Sequence, residues 1–224
     1  MNNKILFLLL FATAFAFAIQ PAEEFAVGQI GRYTSTASAN FTTEGGNVTE
    51  LNLTGNVSTE KWAGFWGNVN GNIVLAPNNT AFLYVWNWTP TNGGEVCAVA
   101  ASSGFDWTTL NAITNAATIN TMWGFGAAAD NATITFNETC TSIVINNQSV
   151  TNTIASLTGQ KNDFRTCAIA DSGSPSTKAD VAFCVNIKDA GNLFNGQTGN
   201  YELIVPTNAS LGATETYYFW LELE

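Results

Sequence analysis

Apolar and polar residues alternate with a period of two along most of this chain. Leu51 and Leu53 alternate with Glu50, Asn52 and Thr54. Phe82, Tyr84, Trp86 and Trp88 share one face of a strand, with Leu83 and Val85 on the other. Val181, Phe183, Val185 and Ile187 alternate with Ala182, Cys184 and Asn186, and Tyr201, Leu203 and Val205 form a further set. At the C-terminus Tyr217, Phe219, Leu221 and Leu223 alternate with Tyr218, Trp220, Glu222 and Glu224. Successive side chains on a strand point to opposite faces, so these segments are predicted to be half-buried or buried strands. Asn70-Gly71, between 66–69 and 73–75, reads as a tight hairpin turn, as does Asn92-Gly93-Gly94 between the aromatic strand and 95–100. One stretch has helical spacing: Asp106 can cap a short segment carrying Leu110, Ile113 and Ala117. The expected fold is all-β, a single immunoglobulin-like or jelly-roll-like β-sandwich with one short helix.

Three segments are predicted. Residues 1–18 read as a secretory signal peptide: Lys4, then an apolar run from Ile5 to Phe17, then Ala16-Phe17-Ala18 as an A-x-A cleavage site. That run is shorter than the roughly 20 residues a bilayer span needs. A retained pilin-type helix would need a longer run behind a basic processing site. No other apolar run is long enough, so no membrane span is expected in the mature chain. Residues 19–45 read as an N-terminal arm or linker, with Phe25, Val27 and Ile30 as a candidate donor strand for assembly. Residues 46–224 read as the β-sandwich domain.

Ten Asn-x-Ser/Thr triplets change the picture. They stand at Asn40, Asn47, Asn52, Asn56, Asn78, Asn87, Asn131, Asn137, Asn147 and Asn208. Each fits the N-glycan acceptor pattern, and the chain's Asn, Ser and Thr content gives only about five by chance. Asn52 is the best candidate, because it faces away from Leu51 and Leu53 on its predicted strand. Four cysteines in an exported chain predict two disulfides. Cys167 and Cys184 flank a polar loop at 171–178, which favours Cys167–Cys184 and leaves Cys97–Cys140, although three connectivities are open. A four-thiolate zinc site would show C-x₂₋₄-C pairs, which the sequence lacks.

The net charge of −10 argues against nucleic acid and anionic membranes as partners. The chain has no histidine, so Ser-His and Cys-His catalysis and histidine metal sites are excluded. Glu44, Glu50, Glu60, Glu95 and Asp106 lie near aromatic residues but read as surface acids rather than a glycosidase pair. Asp130, Asp171 and Asp189 have no calcium-loop spacing. No enzyme activity, cofactor or metal is expected. Seven tryptophans, at 62, 66, 86, 88, 107, 123 and 220, suit core or subunit packing better than a sugar-binding platform.

The segments Thr43-Glu44-Gly45-Gly46-Asn47-Val48-Thr49, Ser58-Thr59-Glu60-Lys61-Trp62-Ala63-Gly64-Phe65-Trp66-Gly67-Asn68-Val69 and Tyr217-Tyr218-Phe219-Trp220-Leu221 resemble secreted archaeal cell-surface and extracellular filament β-proteins. The likeness covers most of 43–224. It implies a structural role at an archaeal cell surface, with no catalytic function. By analogy with exported archaeal β-proteins that lend a strand to a neighbour, it implies self-assembly into a pilus- or thread-like filament. The expected partners are therefore a second copy of the chain and N-linked glycans, and the expected location is extracellular. The alternative is an adhesin or carbohydrate-binding module.

Overall fold

The computed structural model describes residues 18–23, 25–35, 37, 39–101, 103–208 and 214–224. The expected signal segment, 1–18, lies outside them apart from Ala18. In chain order the elements are β1 (Gln20–Pro21), β2 (Trp62–Gly67), β3 (Asn72–Leu75), β4 (Tyr84–Asn87), β5 (Gly94–Val99) and β6 (Asn111–Ala112). Helices α1 (Ala117–Trp123) and α2 (Ala132–Thr135) follow. Then come β7 (Glu138–Ile145), β8 (Gln148–Thr158), β9 (Phe164–Ala170), β10 (Val181–Asn186), β11 (Gly191–Asn192), β12 (Thr198–Gly199), β13 (Tyr201–Pro206) and β14 (Tyr218–Leu223).

The fold is all-β and sandwich-like. An antiparallel sheet runs β1-β14-β5-β10-β9-β8-β7, with β6 added to β9. Its central strands are buried on both faces because both sets of alternate residues are apolar. Val96, Ala98, Phe164, Ala168, Phe183 and Val185 face one core, under β13 and α1. Cys97, Val99, Cys167, Ile169, Ala182 and Cys184 face a second core with Ile143, Ile145, Phe105 and Trp107. The other layer is thin: among the described residues β13 pairs only with β2. Helix α1 buries Ile119 and Trp123 and stops at Gly124, whose φ of 69° is left-handed.

Several expectations are corrected here. The helix begins at Ala117, not at Asp106. Asp106 closes its own turn by accepting from the Thr108 N–H and hydroxyl, while Asn111–Ala112 are drawn into the sheet opposite Ala170 and Ile169. Neither Asn70-Gly71 nor Asn92-Gly93-Gly94 makes a hairpin. Strand β2 pairs with β13, β3 pairs with β4, and β5 sits between β14 and β10. Leu51 and Leu53 lie in no strand and are exposed, so the exposed segment runs past residue 45 to about Val57. The expected hairpin across 171–178 is present as β9–β10.

Two disulfides form, but not in the expected pairs: they are Cys97–Cys184 and Cys140–Cys167. The cause is sheet geometry. Cys184 is directly opposite Cys167 on one side and Cys97 on the other. A residue on a central antiparallel strand is hydrogen-bonded to one neighbour and not to the other, and the non-bonded pair is closer. Cys184 and Cys97 have Cα atoms 4.1 Å apart, the spacing of a non-bonded pair. Cys167 then bonds to Cys140, whose Cα is 5.7 Å away.

Candidate assembly surface

The N-terminal arm is held by short contacts at its two ends. Ile19 is buried in the second core. Gln20 and Pro21 pair with Leu221 and Trp220, and the Ala22 N–H donates to the Phe219 carbonyl at 2.9 Å. Further on, Arg32 forms an ion pair with Glu60 and donates to the Ser58 hydroxyl. Between these tethers Phe25, Val27 and Ile30 are 74%, 70% and 89% exposed. Phe25 lies only 6.3 Å, ring to ring, from Phe219 and is still open to water. From Ala22 to Lys61 no described residue belongs to a strand.

Beside the arm the sandwich is unfinished. All six residues of β2 are left short of full burial. Phe65 packs edge-on against Phe219 at 5.0 Å, and Phe65, Phe219, Leu221 and Tyr217 are only half-covered although they pack on the first core. The remaining edge of the main sheet is β7, whose outward residues are mostly polar.

The acceptor triplets are placed as follows. Asn40, Asn47, Asn52 and Asn56 lie on the exposed segment before β2, and Asn78, Asn87, Asn137, Asn147 and Asn208 are also exposed. Asn131 is half-buried. Its side chain accepts from the Ile134 N–H to cap α2, and its Nδ2 donates to the Gly126 carbonyl. Asn137 and Asn147 bracket β7, and Asn147 sits in the β7–β8 turn with positive φ at both Asn146 and Asn147.

Six of the seven tryptophans pack into the body: Trp88, Trp107 and Trp123 are buried and Trp62, Trp66 and Trp220 are half-buried against the cores. Trp86 is exposed. It stands 4.6 Å from the Tyr84 ring on β4, with Leu75, Phe82 and Leu83 exposed nearby in sequence. Trp86 and Trp88, expected on one strand face, thus differ in burial, and the expected core packing holds for Trp88 but not for Trp86.

Glu44 and Glu50 are exposed on the segment before β2, Glu60 is tied to Arg32, and Asp106 is exposed in its own turn. Asp130 pairs with Lys61 at 3.2 Å and accepts from Thr59; these hydrogen bonds hold its carboxyl below the usual range. Asp171 accepts from the Asp106 N–H, and Asp189 is exposed. Glu95 was expected on the surface and is instead buried. It sits directly opposite Glu222, also buried, across β5 and β14. Gly94 makes this approach, since a side chain there would strike the Glu222 carbonyl at 2.1 Å. Burial first, then the charges of Glu224 and Glu222, push the Glu95 carboxyl up to about 9. One of its oxygens has no hydrogen-bond partner. Glu222 accepts from the Asn146 N–H at 2.7 Å. Alternation in the terminal strand sets Glu222 on the face of Trp220, opposite Leu221 and Leu223, but nothing in the sequence marked it as buried or Glu95 as its partner.

Among the described residues no three His, Cys, Asp or Glu side chains come together as a metal-ligand set, and no helix is long and apolar enough to cross a membrane. Comparison with family models, curated proteins and solved structures returns no match.

Proposed function

We propose that this chain is an exported, N-glycosylated structural protein of an archaeal cell surface, the subunit of an extracellular filament assembled by strand donation. One observation carries this reading. An apolar run, Phe25 to Ile30, stands exposed beside a sandwich whose second layer has, among the described residues, the two paired strands β2 and β13. Exposed apolar surface of this kind marks an interaction site, and a donated strand satisfies a bare sheet edge through backbone hydrogen bonds. Donation from head to tail does not close on itself and yields open fibres. The two disulfides fit an oxidising compartment, and the exposed triplets fit a sugared outer surface.

Electron microscopy of the purified mature chain tests this. Fibres are expected from the wild type, and deletion of 23–38, which spares Ile19 to Ala22, should leave a folded monomer. A wild type that stays monomeric over a wide concentration range, or a deletion that makes the same fibres, would refute strand donation.

The exposed Tyr84–Trp86 pair favours a second reading, a surface adhesin or carbohydrate-binding module, because aromatic faces of this kind stack on sugar rings. A glycan array separates the two. Binding by a monomeric chain that is lost in Trp86→Ala supports the adhesin.

A further inference from the structure

The edge that accepts the donated strand can be chosen from the sheet itself. We propose that it is the outer edge of β2, and that its occupant is the 25–30 segment of a second copy of this chain. This rests on the filament reading above and adds the partner surface to it.

The main sheet has two outer edges, and both are already used or guarded; in the other layer the far side of β13 is taken by Thr158, which donates to the Glu202 carbonyl, and by Thr166, which accepts from the Ile204 N–H. The outer edge of β14 is taken by residues 20–22 of its own chain. The edge of β7 carries acceptor asparagines at both ends, Asn137 and Asn147. Sugar there would stand across any incoming strand. Strand β2 has neither protection, since among the described residues its one partner is β13.

The backbone of β2 is set for pairing. The Thr207 N–H donates to the Lys61 carbonyl, and Pro206, which has no N–H, stands opposite Trp62. Hydrogen-bonded and non-bonded positions alternate along an antiparallel ladder. So Ala63, Phe65 and Gly67 bond to β13, while Trp62, Gly64 and Trp66 turn their N–H and C=O groups outward. The side chains are also set. Half-covered Phe65 of β2 packs edge-on against half-covered Phe219 of β14, and Leu221 on the same face of β14 is half-covered too. An added strand bearing Phe25 and Val27 on one face would cover them.

The occupant is a neighbour's arm and not the chain's own. The chain's own segment is fixed at Ala22 on one side and at Arg32 on the other, and Phe25, Val27 and Ile30 still stay in water. Each subunit therefore has an exposed apolar segment without an edge and an exposed edge without a partner strand among the described residues.

Cysteine cross-linking of the full mature chain tests the assignment. Gly64→Cys is combined in turn with Ala26→Cys, Val27→Cys or Gly28→Cys, which samples both faces of the donor. The four native cysteines are already paired. Mild oxidation with oxidised glutathione should give a ladder of linked dimers, trimers and longer species on a non-reducing gel. An intrachain link that leaves only monomer would overturn the proposal, because the edge would then be filled in cis. A second variant, Gly64→Pro, removes one outward N–H that the monomer does not use, so its melting temperature should be unchanged while fibre formation falls at least tenfold. Fibres that form normally in Gly64→Pro and never cross-link would place the acceptor elsewhere and leave strand donation standing. Failure of the wild type to form fibres removes the filament reading itself, and this proposal with it.

Discussion

At the scale of single residues, the buried carboxyl pair makes this protein's stability depend on protons. Glu95 in the folded chain holds its proton up to about pH 9, against an ordinary value of 4.5. Below 4.5 both the folded and unfolded chains are protonated at this position, and the pair costs least. Between 4.5 and about 9 the unfolded chain releases this proton while the folded chain keeps it. Stability therefore falls as pH rises, by up to about 1.4 kcal/mol per pH unit from this group. Burial raises Glu222 as well, which acts in the same direction. Glu95→Gln removes the titrating group and keeps its shape. The variant is expected to melt above the wild type at pH 8 and together with it near pH 4, as followed by circular dichroism. Equal melting temperatures at both pH values would show that Glu95 is solvated. Cys184 gives a second lesson at this scale. Its alternation in β10 was readable in the sequence, but its disulfide partner depended on which neighbouring strand met it at the closer, non-bonded site.

At the scale of elements, what was legible was local. The β9–β10 hairpin and the terminal strand follow from alternation and a polar loop, and both formed where expected. What was not legible depended on distant partners. Strand β2 pairs with residues more than 130 positions away, so Asn70-Gly71 beside it had no strand to turn back. The segment at 110–112 has a helical apolar spacing, but the Leu110 N–H bonds to Gln148 and the next two residues join β9. Leu51 and Leu53 alternate with polar residues and yet meet no sheet, since period two is a local pattern and pairing needs a partner strand. The candidate site divides the same way: the arm's apolar run was visible in the sequence, and the open edge of β2 was not. Strand β7 yields a prediction at this scale. Edge strands need protection from unwanted pairing, and sugars on Asn137 and Asn147 would supply it. Removing both, with Asn137→Gln and Asn147→Gln, is expected to leave the fold intact and to bundle the protein side by side. Light scattering and micrographs would show this. Well-separated particles in the double variant would assign the protection of β7 to its own polar face.

At the scale of the whole molecule, the two disulfides are nested: Cys140–Cys167 lies inside the 87-residue span closed by Cys97 and Cys184. In the proposed filament each subunit would be a link in a chain under load, and load would enter through the backbone. Tension applied to the two ends reaches Cys97, crosses the sulfur bridge and leaves at Cys184, so everything between is shielded. Fully stretched at about 3.4 Å per residue, residues 19–224 can pay out only about 400 Å when oxidised, against about 700 Å when reduced. Force spectroscopy on single subunits should read these two lengths. A reduced and an oxidised chain of equal extension would mean that the bridges do not carry the load. The sulfur bridge thus acts as a stop: a subunit pulled open at its margins still keeps its central sheet, and can close again when the tension drops.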